Sequence, residues 1–193
     1  MVGPASLAAD AQKFVHAVRG IELPQGWHAQ LRDEPGLVAT YQRTQDIGRL
    51  AGQEGQALDI KTHFGGAVGN VFDYANAGAT ARLGFNLPED DGPPRIGPAP
   101  PGSYAYVPTA RLGAYLFAGW EGRLVARNIF LDGNSFQAGP HVAKDLTVTD
   151  ISLGGAIAFQ DFRLSFIHVF HSREFKTQKD SDQFGSLVLS VNF

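Results

Sequence analysis

At 193 residues and a formal net charge of −3, the chain fits a single domain spanning 1–193, and its charge offers no general attraction to nucleic acid. Cysteine is absent, which excludes a disulfide framework, a Cys-ligated zinc and a thiol nucleophile. Charged residues make up only 18%, below the roughly 25% of soluble proteins, whereas glycine numbers 23 and phenylalanine 14.

No run of 18 apolar residues occurs, so no transmembrane helix is expected. The start MVGPASLAAD lacks a basic stretch followed by an apolar one, so no signal peptide is expected in the sequence as it stands. Residues 5–19 have helix-forming composition, with Leu7, Phe14 and Val18 at roughly helical spacing and Gly20 as the stop.

Beyond this helix the pattern has period two. A strand is expected near 28–44. In 57–70, Leu58, Ile60, Phe64 and Val68 share one face, and Asp59, Lys61 and His63 the other. In 73–86, Ala75 to Phe85 alternate with Asn76, Thr80 and Arg82. In 106–120, Leu112, Leu116 and Trp120 oppose Thr109, Arg111 and Tyr115. Further strands are expected near 121–131 and 146–150. Residues 151–170 read as a hairpin turning at Gln160-Asp161, with Phe159 opposite Phe162. The last strand, GSLVLSVNF, places Leu187, Leu189, Val191 and Phe193 on one face. The count is about eight strands of some 10 to 14 residues, longer than the usual 5 or 6.

Long alternating strands, abundant glycine, short turns on one side and longer loops (87–104 and 131–145) on the other describe an antiparallel transmembrane β-barrel with a short N-terminal helix. A soluble sandwich or lipocalin-like barrel shares the alternation. The terminal strand favours the outer membrane, because barrels of that class close on an alternating strand ending in an aromatic residue that the assembly machinery reads. Inward-facing Lys61, Arg82, Arg111 and Arg163 suit a polar lumen.

Few residue groups carry chemistry. Gln12 and His16 are four apart and share a helix face, and Glu22 follows closely enough to turn back toward the imidazole. A His held by polar neighbours can act as a general base, although a half-exposed His on an amphipathic helix has the same appearance. His28, Asp33 and Glu34 lie in GWHAQLRDEPG without an assigned role. The acidic segments 89–92 and 131–133 offer oxygen atoms of the kind calcium takes, but lack EF-hand spacing. His168 and His171 fall on opposite faces of a strand and so cannot share a metal.

Several segments taken together, GWHAQLRDEP, ARLGFNLPEDDGP and RNIFLDGN with the surrounding chain, resemble the lipid A 3′-O-deacylase family of bacterial outer membranes. The resemblance implies a 12-stranded barrel with its active site between the wall and a helix. It implies hydrolysis of the ester-linked 3′-acyloxyacyl group of lipid A in lipopolysaccharide, with calcium as cofactor and outer-membrane lipid as surroundings. His16 matches the family's base, Gln12 and Glu22 its neighbours at minus four and plus six. About four strands, carrying the calcium ligands, are expected before VGPAS and are missing here. The alternatives are a truncated, non-catalytic outer-membrane barrel and a soluble lipid-binding β-barrel.

Overall fold

The computed structural model describes residues 1–23, 25–97 and 106–192. Pro24, residues 98–105 and Phe193 therefore lie outside the described residues. After a 3₁₀ turn at Pro4–Ser6 comes α1 (Ala8–Arg19), and a second 3₁₀ turn at Trp27–Ala29 precedes the sheet. The strands are β1 (Val38–Ala51), β2 (Gln56–Gly69), β3 (Phe72–Phe85), β4 (Glu89–Asp90), β5 (Tyr106–Val107), β6 (Leu112–Asn128), β7 (Thr147–Phe159), β8 (Phe162–His171) and β9 (Asp182–Val191), with α2 (Ile129–Asp132) after β6.

Seven long strands form one antiparallel meander in the order β1-β2-β3-β6-β7-β8-β9, and β4 pairs with β5 separately. Because each strand pairs with its neighbour in the chain, the connections alternate between two rims. The N-terminal rim holds the start of β1 and the β2–β3, β6–β7 and β8–β9 connections. The opposite rim holds the β1–β2, β3–β6 and β7–β8 connections.

The distribution of side chains is inside-out. Leu83, Leu116, Trp120, Leu124, Leu153, Phe166 and Leu187 stand exposed on one face, while Asp59, Lys61, Arg82, Arg123 and Arg163 are buried on the other. An apolar surface of this extent is foreign to a monomer in water and is that of a β-barrel wall against lipid. A soluble lipid-binding barrel would bury this face instead. Among the described residues no helix is long and apolar enough to cross a membrane. Leu153 sits midway along β7 with its side chain outward. Leu153→Arg is expected to cost about 2–4 kcal/mol, the penalty of a cation on the lipid face near the midplane, read by urea unfolding in lipid vesicles.

The hairpin at Gln160-Asp161 is as the alternation predicts, with Ala158 opposite Arg163 and the Phe159 and Phe162 rings stacked at 4.5 Å. Other boundaries differ. The first strand lies at 38–51 instead of 28–44, because Pro35 and Gly36 break the chain before it. Residues 112–128, expected as parts of two strands, form one 17-residue strand, whereas 146–150 leads into the hairpin as the pattern suggests. Among the described residues the count is thus seven long strands, with β4 and β5 as a short pair beside them. The merger has a topological consequence, since one strand fewer between the two long loops puts them on opposite rims and not on one side. Arg111 precedes β6 and is exposed, so it is not a lumen residue.

The long β3–β6 connection folds back over the polar face. Leu87 and Pro88 are fully buried there, and Leu87 packs with Tyr115, Phe117, Ile167 and Val169. Asp90 receives Arg82 from β3 at 2.6 Å and Arg163 from β8 at 2.5 Å, and Asp59 holds the same Arg82 through two further bonds of 2.8 and 2.6 Å.

Candidate functional site

Helix α1 is built locally. Asp10 stands in its first turn, His16 and Arg19 in its last, where each charge or proton donor suits the helix dipole. Gly20 closes it at φ 64°, a left-handed conformation that glycine adopts without a Cβ clash. The Gly20 and Ile21 N–H groups then return to the end of the helix, with the Ile21 N–H on His16 O at 3.1 Å. This reversal carries the chain back toward the helix face, and the spacing of six between His16 and Glu22 follows from it.

The contact that results is made by the main chain. His16 Nδ1 lies 2.6 Å from the backbone carbonyl oxygen of Glu22. A carbonyl can only accept, so Nδ1 carries the proton in this bond, and in the neutral ring Nε2 is left with its lone pair. That is the tautomer a general base needs. The structure therefore brings His16 and Glu22 together through the Glu22 carbonyl, while the Glu22 carboxylate is exposed. Gln12 lies one turn before His16 on the exposed helix, and its side chain makes no hydrogen bond among the described residues. His28 sits in the 3₁₀ turn Trp27–Ala29.

A second constellation, unassigned from the sequence, joins two motifs a hundred residues apart. The Glu34 carboxylate, on a residue only 4% exposed, accepts the Ser135 N–H at 2.9 and 3.1 Å and the Phe136 N–H at 3.3 Å. Burial alone would raise this carboxyl, but the backbone N–H groups hold it below the ordinary glutamate range. Asn134 pairs with the backbone of Arg32 in both directions, at 2.9 and 2.8 Å. Arg127 donates to Asn70 O, Gly133 O and the Ser135 hydroxyl at 2.8–3.0 Å. The only signal for this in the sequence is the length of the motifs GWHAQLRDEPG and RNIFLDGNSF, since no local period marks such contacts.

Possible cation ligands are committed elsewhere. Both Asp90 oxygens face guanidinium groups, and Asp132 is held by Lys144 at 2.5 Å and by the Asn128 N–H at 2.8 Å. Among the described residues no three His, Asp or Glu side chains gather to hold a metal ion. His168 and His171 do separate by face: His168 meets Gln183 at 3.2 Å, whereas His171 joins Asp150, itself bound to Arg123 at 2.6 Å.

A sequence model of the family described as outer membrane protein LpxR matches residues 1–193. The solved structure of LpxR from Salmonella typhimurium is similar with a TM-score of 0.73 and 23% identity, covering 96% of this chain and 61% of that one. At this identity the likeness bears on the fold, and the chain spans 61% of the length of that protein. Comparison with curated proteins gives no match.

Proposed function

The chain belongs to the family of outer membrane protein LpxR, and from this premise we propose that it is a lipid A deacylase of the bacterial outer membrane, hydrolysing the ester-linked 3′-acyloxyacyl group. Family membership supports lipid A as the substrate and the outer membrane as the location, and the inside-out sheet agrees with both. The observation that carries the chemistry is the His16 Nδ1 bond to the Glu22 carbonyl.

In this reading His16 is the base. Its Nε2 takes a proton from water as the water oxygen bonds to the ester carbonyl carbon, and the proton then passes to the departing sugar oxygen as the ester C–O bond breaks. The Glu22 carbonyl holds the ring in the required tautomer throughout. Gln12, on the same helix face one turn away, contacts substrate. The C-terminal sequence with Leu187, Leu189, Val191 and Phe193 serves the barrel assembly machinery as its recognition segment. The reading is tested by mass spectrometry of lipopolysaccharide incubated with the protein, where loss of one acyloxyacyl unit is expected. An unchanged lipid A spectrum overturns it.

Calcium belongs to the proposal through the family resemblance alone, and no step above is routed through it. Removal of divalent cations with a chelator is expected to stop acyl release, and added calcium to restore it. Full activity in the presence of chelator removes calcium from the reading.

A further inference from the structure

Residues 3–33 leave the N-terminal rim and return to it, carrying α1 and His16. The two ends of this excursion meet. The Val2 N–H donates to Glu34 O at 3.0 Å, and the Glu34 N–H to Val2 O at 3.1 Å. The Asp33 carboxylate accepts the Ala5 N–H at 2.7 Å, three residues before the helix begins. Val2 and Leu31 are buried together against Ile129 of α2. By contrast, α1 contains no buried residue. Among the described residues, the position of His16 relative to the barrel is therefore set at the base of the excursion and not by packing along the helix.

Among the side chains that fasten that base to the barrel, Glu34 is the buried carboxylate. The buried Glu34 carboxylate spans from the base to the main-chain N–H groups of Ser135 and Phe136 in the β6–β7 connection. Asn134 and Gln137 brace the same junction through the backbone of Arg32 and Asp33, and Asn70 ties it to the β2–β3 turn by donating to Pro35 O at 2.7 Å. Truncating Glu34 would leave buried N–H groups without an acceptor, so the junction cannot simply close over the gap.

We propose that Glu34 is a positioning residue for ester hydrolysis: by clamping the base of the 3–33 excursion onto residues 135–136, it sets where His16 stands relative to the barrel. The proposal rests on the reading of His16 as the base.

The test uses purified protein in lipid vesicles containing lipopolysaccharide, with Glu34→Ala and Glu34→Gln beside the wild type. Glu34→Ala is expected to lower kcat about 10- to 100-fold with KM unchanged, the penalty of a small misplacement of a catalytic group. Backbone amide exchange is expected to quicken over 2–23 and 133–137 while β2, β3, β6, β7 and β8 keep wild-type protection. Glu34→Gln retains one acceptor oxygen and is expected to recover most of kcat. Wild-type exchange over 2–23 in Glu34→Ala overturns the proposal, as does loss of protection throughout the sheet, or a Gln variant no better than Ala. If the wild type itself releases no acyl chain, the deacylase reading falls, and the exchange pattern alone judges the clamp.

Discussion

His16→Ala is expected to reduce acyl release from lipid A by about 10²- to 10⁴-fold, the usual contribution of a positioned general base. The protein should fold normally, because His16 lies on a helix without buried residues and, among the described residues, its side chain makes a single hydrogen bond, to the Glu22 carbonyl. Mass spectrometry of lipid A from cells expressing the variant measures the outcome, and product at the wild-type level would remove His16 from the base role. Glu22→Ala is the informative companion. It keeps the carbonyl, so Nδ1 retains its acceptor, and any loss of activity in that variant reports on the carboxylate alone.

Asp90→Ala is expected to lower stability by about 3–5 kcal/mol, the penalty for removing one partner from a buried ion pair. The Asp90 side chain is 1% exposed, and those of Arg82 and Arg163 are 1% and 0%. Arg82 keeps Asp59, but the carboxylate that both guanidinium groups share is gone, and with it the link between the loop after β3 and strand β8. Urea unfolding in lipid vesicles reads the effect as a lower midpoint than that of the wild type. An unchanged midpoint would mean that Leu87 and its apolar neighbours hold this loop without the ionic contacts.

Both variants show how legibility divides between sequence and structure. The helix carrying His16 was readable because its signals are local: helix-forming residues, spacing of four to Gln12, and a glycine stop. The partner contact was only half readable. A spacing of six suggests that Glu22 returns, but which of its oxygen atoms arrives depends on the left-handed turn at Gly20. Asp90 looked like one carboxylate among several in an acidic loop, and nothing nearby in the chain announced Arg163, 73 residues away. Glu34 was likewise indistinguishable from a surface glutamate until Ser135, 101 residues on, supplied its N–H.

By itself, the sequence determined the apolar faces of β2, β3, β8, β9 and most of β7, the Gln160-Asp161 turn and the helix that bears His16, because side chains alternate with the pleat and helix faces recur every three or four residues. Only the tertiary structure decided that 112–128 is one strand, that the two long loops leave from opposite rims, and that Asp90 and Glu34 are buried anchors. Strand continuity and rim assignment depend on pairing with neighbours, and ion pairs across a barrel join residues far apart in the chain. Periodicity along the chain records the first kind of contact and is silent on the second.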